Sequence, residues 1–465
     1  MGCHGVLMDG FAIPKRFFAR VFRYYTFEGN VMINQPPKIV IVGGGAGGLE
    51  LATQLGHKLG KKRQAEILLI DKNRSHIWKP LLHEVATGSI DADLDGVVYS
   101  AHAAKHHYNF QLGSFCHLDQ TNKTITLSEL KDELGHRILP ERQVSYDYLV
   151  LAIGSVSNDF NTPGVNKHCF YLDSNQQAER FQHALLDNFT RLHQDDDPQH
   201  SLTIAIVGGG ATGVELSAEL YHVSDMLKMY GLNKMTAKRL HIDLIEAGPR
   251  ILPALPERIA NSAKRELVKL GVTVREGTQV KEATENSFIT KNDEHIKADI
   301  MVWAAGVKAP DFIKDIGIFE LTRNNQIKVN QYLQSSVNDD IFVIGDCCAF
   351  TQEDGTQVPP RAQSAHQMAQ CVEKNLIATL KNQPLSAFTY SDHGSLVNLS
   401  RYSTVGSLMG NLTSNSFFIE GKIARFMYIS LYRMHQRAIH GSAKTFALWI
   451  SEKVLRVVRP KMKLH

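Results

Sequence analysis

The sequence predicts an α/β chain of two doubly wound, parallel-sheet domains followed by a C-terminal region of amphipathic helices, and three observations predict it. An apolar strand running straight into G-x-G-x-x-G occurs twice, at residues 38–48 and 203–213. Each copy leads into a helical pattern and then a strand that ends on an acid, Asp71 in the first and Glu246 in the second. Residues 421–465 carry ten Lys and Arg against the single acid Glu452, set among apolar residues at helical spacing.

The first unit opens on Lys38–Val42 (KIVIV), a β-branched run of the kind buried in a parallel sheet, and passes into Gly43, Gly44, Gly45, Ala46, Gly47, Gly48. Such a loop needs glycine at three places: Gly43 for the tight turn, Gly45 for close approach of backbone to a pyrophosphate, and Gly48 for helix-on-strand packing. The helix N-terminus then faces the anion. Asp71 ends the next strand a little over twenty residues past Gly48, where a carboxylate accepts hydrogen bonds from a ribose diol.

The second unit repeats this with Thr203–Val207 (TIAIV), Gly208, Gly210 and Gly213, and a strand Ile242–Ile245 that closes on Glu246. A single G-x-G-x-x-G is weak, but two complete copies make a chance glycine turn remote. Each unit is therefore a Rossmann-like dinucleotide-binding domain. Residues 230–238 lengthen the second copy and read as a polar surface insertion. Glu246 disfavours a 2'-phosphate by charge, which selects NADH over NADPH; Arg250, four residues on, weakens that preference.

The tail has a charge of +9, so residues 1–420 carry about −5. Ile423, Phe426, Met427, Ser430, Leu431, Met434 and Ala438 follow i, i+3, i+4 spacing, and a second run holds Phe446, Leu448, Trp449, Ile450, Val454, Leu455 and Val458. Cationic helices with such anchors lie in the bilayer interface. No stretch is long and apolar enough to span a bilayer. Six scattered cysteines, Cys3, Cys116, Cys169, Cys347, Cys348 and Cys371, show no C-x-x-C and no metal-ligand spacing, so neither a metal site nor a disulfide framework is expected. Cys347 and Cys348 read as structural. A nucleic-acid partner is not expected.

At 465 residues several domains are expected. They are an extension over 1–35, a first dinucleotide domain in two parts (36–155 and 311–385), an inserted second one (156–310), and a docking region (386–465).

The chain resembles the two-dinucleotide-binding flavoprotein superfamily over roughly 37–385. The resemblance rests on the first fingerprint, the strands Tyr148–Gly154 (YLVLAIG) and Met301–Gly306 (MVWAAG), and Ile341–Asp346 (IFVIGD). It implies FAD at Gly43, Gly45, Gly48 and Asp71, with Asp346 hydrogen-bonding the ribitol, and by elimination NADH at Gly208, Gly210, Gly213 and Glu246. Asp346 also fits a helix N-cap. Ala362–Gln367 (AQSAHQ) is similar to the A-Q-x-A-x-Q motif of type II, non-pumping NADH:quinone oxidoreductases. That resemblance implies Gln363 and Gln367 in a quinone pocket, with carboxamides that bond quinone carbonyls; the structural reading is a pair of surface glutamines at i and i+4.

Residues 78–86 (WKPLLHEVA) resemble the segment this family places beside the flavin, which makes Lys79 and Pro80 candidates for flavin contact. His83 reads as a packed or solvent histidine, because the sequence assigns it no titratable partner. Glu215 resembles a family position near the nicotinamide, and equally fits an acid favoured by the helix dipole.

The resemblance implies FAD-dependent, non-electrogenic NADH oxidation with reduction of a membrane quinone, ubiquinone or menaquinone. The enzyme would be peripheral on the cytoplasmic face of the inner (plasma) membrane, docked through 421–465, with a homodimer left open. A sulfide:quinone oxidoreductase, with Cys169 and Cys347 as its cysteines, is the alternative within enzymes, and the second fingerprint speaks against it. A flavin- and NADH-binding redox-signalling protein is the alternative of another class.

Overall fold

The computed structural model describes residues 35–132, 134–197, 199–399, 403–409, 416–420, 422–458 and 462–463. Apart from Gln35, the expected extension over 1–35 lies outside them. Pro37–His465 make one unit.

Along the chain come β1 (Lys38–Val42), α1 (Ala46–Lys58), β2 (Glu66–Asp71), α2 (Leu82–Ala86), α3 (Tyr99–His106), β3 (Asn109–Leu112) and β4 (Tyr148–Leu151). After α4 (Asn175–Gln194) follow β5 (Leu202–Val207), α5 (Ala211–Leu227), β6 (Leu240–Ile245), α6 (Glu257–Leu270), β7 (Thr273–Arg275) and β8 (Ile300–Trp303). The chain then returns through β9 (Gln334–Ser335) and β10 (Asn338–Val343) to α7 (Ala362–Leu380).

Two separate sheets result. The first has the order β9-β10-β4-β1-β2-β3, parallel except for β9. The second has the order β7-β6-β5-β8, all parallel. In each the first strand lies between a strand reached forward and one reached after a crossover, so the order reverses beside β1 and again beside β5. Ligands of such sheets bind in the crevice outside the strand ends at that reversal. The β-branched runs sit at the centre because both faces are covered: Ile39, Val40 and Ile41 are fully buried, as are Ile204, Ala205 and Ile206.

Residues 386–465, expected as a docking region, begin with an antiparallel sheet of β11 (Ser395–Leu399), β12 (Ser403–Met409) and β13 (Ser416–Glu420). Only then come α8 (Lys422–His440) and α9 (Ser442–Val458). Arg433 forms a two-pronged ion pair with Glu452, so the tail's one acid ties α9 to α8. His435, Gln436 and Ile439 of α8 are buried. Ile429, Leu431 and Met434 stay exposed, as do Phe446, Leu448, Trp449, Ile450, Val454 and Leu455 of α9. The side chains of Ile423, Phe426, Met427 and Val458 lie outside the described residues. Among the described residues no helix is long and apolar enough to cross a membrane.

The insertion over 230–238 is more than a polar surface loop. Met235 is fully buried and Tyr230 Oη accepts the Met462 N–H at 2.9 Å. The end of the tail thus returns to the body: Lys463 N–H donates to Gly88 O at 2.9 Å and its carbonyl accepts from Gln182 Nε2 at 2.7 Å.

Candidate functional site

Each reversal point carries a glycine cradle, and the two are built alike. Gly43 has φ +104° and Gly208 φ +117°, a region side chains rarely adopt. A Cβ on Gly43 would lie 2.2 Å from Ala152 O, and one on Gly208 2.6 Å from Ala304 C, so each turn is pressed against the neighbouring strand's continuation. Gly48 and Gly213 pack as tightly: a Cβ would stand 1.9 Å from Gly43 O and 2.1 Å from Gly208 O. Gly45 and Gly210, the N-caps of α1 and α5, face open space instead. With no side chain capping either helix, their first N–H groups are presented to whatever fills that space.

The strand-end acids are placed symmetrically too. Asp71 Oδ2 accepts the Gly44 N–H at 2.6 Å, and Glu246 Oε2 accepts the Gly209 N–H at 2.8 Å. Burial raises the Asp71 carboxyl above its usual range, against the hydrogen bond from Gly44. Arg250 is turned away from Glu246 in its hydrogen bonding, donating to Leu252 O at 3.0 Å and Pro253 O at 3.1 Å within its own loop.

The structure joins Lys79 to Asp346 through a residue the sequence reading missed. Lys79 Nζ donates to Ser155 O at 2.9 Å, and Ser155 Oγ donates to Asp346 Oδ2 at 2.7 Å. Pro80 stands in the short 3-10 turn Lys79–Leu81 that aims this lysine. Asp346 lies in another 3-10 turn, and α7 is capped by Arg361, so the N-cap reading of Asp346 does not hold. Asp346 lines a cavity of about 280 Å³ with Asn158, Phe160, Gly306, Gln326 and Pro360. The signal for Ser155 was its place directly after Tyr148–Gly154, the segment already singled out.

His83 has titratable partners that only the fold supplies. On α2 it is 3% exposed, with Nδ1 3.7 Å from Glu215 Oε2 and Nε2 3.9 Å from Glu84 Oε1. Burial lowers the His83 imidazole. It raises the Glu215 carboxyl to about 8, with the Asn398 N–H at 3.0 Å acting the other way. Burial thus biases Glu215 toward its protonated form. Being at the fifth position of α5, it hangs from the second cradle while His83 follows Lys79 and Pro80, so this pair spans the two halves of the site.

Gln363 and Gln367 both face the strap 391–394. Gln363 Nε2 donates to Asp392 Oδ1 and Gly394 O, both at 3.1 Å, and its carbonyl accepts the His393 N–H at 3.2 Å. Gln367 pairs with Ser391, donating to its carbonyl at 2.8 Å and accepting its N–H at 3.0 Å. They are not loose surface glutamines. Among the described residues both N–H groups of Gln363 are engaged, whereas Gln367 uses one of its two.

Among the described residues the cysteines form no disulfide. Cys116, Cys169, Cys347, Cys348 and Cys371 are all free. Burial pushes the Cys169 thiol up to about 12 and Cys347 up to about 11, so neither is a ready thiolate. Among the described residues no cluster fit to hold a metal ion is found.

Two cradles at two reversal points, each backed by a strand-end carboxylate, define a protein that binds two dinucleotides. The family profile for pyridine nucleotide-disulphide oxidoreductases matches residues 37–369. A type II NADH:quinone oxidoreductase of Haemophilus influenzae is 46% identical over 441 residues, 92% of this chain and 99% of that protein. Its counterpart in Staphylococcus saprophyticus is 30% identical over 406 residues, 85% and 94%. The solved NDH2 of Plasmodium falciparum in complex with NADH matches with a TM-score of 0.76 over 92% of this chain and 100% of that one; at 18% identity this is likeness of fold. The chain belongs to the pyridine nucleotide-disulphide oxidoreductase family and, within it, to the type II NADH:quinone oxidoreductases.

Proposed function

We propose that this chain oxidises NADH and passes the electrons to a membrane quinone through FAD, with FAD on the first cradle and NADH on the second. The observation that carries the reading is 46% identity spanning nearly the whole of a type II NADH:quinone oxidoreductase, on a fold with two complete cradles. Held by Gly43, Gly45, Gly48, Asp71 and Asp346, FAD would supply the two-electron chemistry that links hydride acceptance from NADH to reduction of a quinone.

The residues present fit both cofactors. The open space at Gly45 and Gly210 admits a pyrophosphate at each helix N-terminus, and Asp71 and Glu246 stand where a ribose would lie. Asp346, steered by Ser155 and Lys79, offers its carboxylate to the cavity that a flavin tail would occupy. Glu246 with Arg250 turned aside favours NADH over NADPH. Gln363 and Gln367 hold the wall of the quinone site, with Gln367 keeping one N–H for a quinone oxygen. Glu215, buried and biased toward its protonated form, offers a neutral carboxylic acid to the nicotinamide side.

The exposed apolar faces of α8 and α9, flanked by Arg437, Lys444 and Lys453, suit an anionic bilayer surface. The side facing NADH is then the cytoplasmic face of the inner (plasma) membrane, and a homodimer that leaves these helices free is compatible with it. The resemblance of the AQSAHQ segment to the non-pumping class supports reading the reaction as non-electrogenic. The test is steady-state oxidation of NADH and NADPH with a soluble quinone, before and after removal of residues 421–465. Flavin absorbance, NADH preference and activity that survives the truncation while vesicle binding is lost are expected; quinone reduction by flavin-free protein would overturn the mechanism.

A further inference from the structure

The AQSAHQ segment holds one titratable residue, His366. At 100° per residue, Gln363, Gln367, Gln370 and His366 fall within an arc of about 100° on α7. The face that carries the two glutamines therefore carries a histidine as well. Its Nδ1 lies 2.6 Å from Oε2 of Glu50 on α1, a carboxylate only 1% exposed. The other oxygen of Glu50 accepts from Gln54 Nε2 at 2.8 Å. Among the described residues no lysine or arginine pairs with Glu50, so His366 is its only cationic partner.

The reaction needs a proton source. A hydride leaving NADH carries two electrons and one proton, while a quinone becoming a quinol takes two electrons and two protons. One proton per turnover must come from water. We propose that His366, held by Glu50, delivers that proton to the quinone oxygen and is recharged from solvent. This rests on the assignment of Gln363 and Gln367 to the quinone site.

The surroundings suit the cycle. The hydrogen bond that His366 donates to the Glu50 carboxylate raises the imidazole above its ordinary range in spite of burial, so a charged fraction is present near neutral pH. The His366 side chain is 32% exposed, which leaves it a path to water. Gln370 Nε2 stands 2.9 Å from His366 Nε2 and donates to it when the ring is neutral. On protonation the same carboxamide, turned over, presents its oxygen to the new N–H. Among the described residues a second imidazole, His435 of α8, feels the charge of His366; it is paired with His76 at 2.9 Å and lowered by burial, so it stays neutral beside the imidazolium. His366 is the donor; Glu50 is a positioning residue that sets when the donor is charged.

The experiment uses FAD-loaded full-length protein and compares a water-soluble quinone with ferricyanide, which takes electrons and no proton. In the wild type the quinone-to-ferricyanide ratio of turnover should fall as pH rises through a value above 6.5. His366→Asn should lower the ratio by about 10²-fold and flatten its pH profile, a loss of the size general-acid catalysis supplies. Glu50→Gln should shift the fall toward acid. Independently of turnover, NMR of histidine-labelled protein should show one imidazole, missing in His366→Asn, that titrates above 6.5. An unchanged ratio and profile in His366→Asn, or an imidazole at or below the ordinary value, overturns the proposal. If Gln363 and Gln367 variants lose quinone activity while His366→Asn does not, this inference fails alone; if they keep it, the quinone-site reading fails first.

Discussion

Glu246 Oε2 accepts the backbone N–H of Gly209 at 2.8 Å, and its other oxygen accepts the Gly248 N–H at 2.6 Å. The carboxylate is thereby pinned across the mouth of the second cradle. A 2'-phosphate brought to that edge would meet a fixed negative charge, with Arg250 committed to Leu252 and Pro253 and unable to offset it in place. Replacing Glu246 with Gln should lower the preference for NADH over NADPH, as a ratio of kcat/KM, by about tenfold, which is roughly 1.4 kcal/mol and ordinary for one partly screened charge pair. An unchanged ratio would mean that discrimination lies elsewhere.

Gly48 tests the first cradle. Because a Cβ there would sit 1.9 Å from Gly43 O, and the obstacle is backbone, Gly48→Ala cannot be absorbed by a side chain swinging aside. Helix α1 must move off β1, which costs about 1–3 kcal/mol as overpacking generally does. The loop that presents Gly45 moves with it. Purified protein should show a lower flavin-to-protein absorbance ratio and a reduced Tm, and full flavin content would show that the cradle tolerates the shift.

Local chemistry made much of this legible. Both fingerprints, the strands beside them and the placing of Gly43, Gly48, Gly208 and Gly213 follow from patterns a few residues long. What the sequence hid depends on distant segments meeting. His83 gains Glu215 only because α2 lies against α5, and His366 gains Glu50 only because α7 lies along α1. Ser155 becomes a link between Lys79 and Asp346 through residues 76 and 191 positions away. The strap 391–394 gave no signal at all, since its grip on Gln363 and Gln367 runs largely through backbone groups, which every residue possesses. The tail was legible as amphipathic, but not the sheet that precedes it, whose strands are short and mixed in polarity.

The different engagement of the two glutamines predicts different variants. Gln363→Leu removes three hydrogen bonds to the strap, including both of its N–H donations, so it should loosen 391–394 and raise KM for a soluble quinone. On the proposed quinone site, Gln367→Leu would also delete the N–H offered to substrate, and should lower kcat/KM for quinone by about 10–100-fold, in line with a lost substrate hydrogen bond. Ferricyanide reduction is the reference for both. Equal losses with quinone and ferricyanide would place the fault in flavin binding instead.

A seam of neutral histidines fastens α8 to the body and makes that contact acid-labile. His76 Nε2 and His435 Nε2 are 2.9 Å apart, and His102 lies between Tyr108 Oη at 2.9 Å and Ile439 O at 3.0 Å. Burial lowers His76 and His102 to about 4, and lowers His435 as well; His440, with Lys444 near it, is lowered too. Each folded value lies below the ordinary 6.5, so protonation favours separation. The stability these groups contribute is fully present above pH 6.5 and is lost as pH falls from there toward 4. For the fully buried His76 the gap corresponds to about 3 kcal/mol. Tm should drop between pH 6.5 and 4.5, and His76→Phe should flatten that drop; a Tm level across the interval would show that the seam bears no such load.

The apolar surface of α8 and α9 makes the last prediction. Phe446 is 61% exposed, Val454 59% and Met434 53%, on helices locked together by the Arg433–Glu452 ion pair, and Lys453 Nζ sits 4.5 Å from the centre of the Trp449 ring. Large side chains left in water in this density are stabilised by transfer into an acyl boundary, at about 1.5–3 kcal/mol each. The lysines and arginines beside them contribute about 1 kcal/mol apiece at an anionic surface. Phe446→Glu with Val454→Glu should therefore weaken binding to vesicles containing anionic lipid by more than about 100-fold, while activity with a soluble quinone is kept, because both side chains are exposed on α9, which packs against α8. Arg433→Ala should weaken binding less, by freeing α9 from α8 while leaving the apolar residues in place. Vesicle binding that survives the double substitution would assign docking to another surface of the molecule.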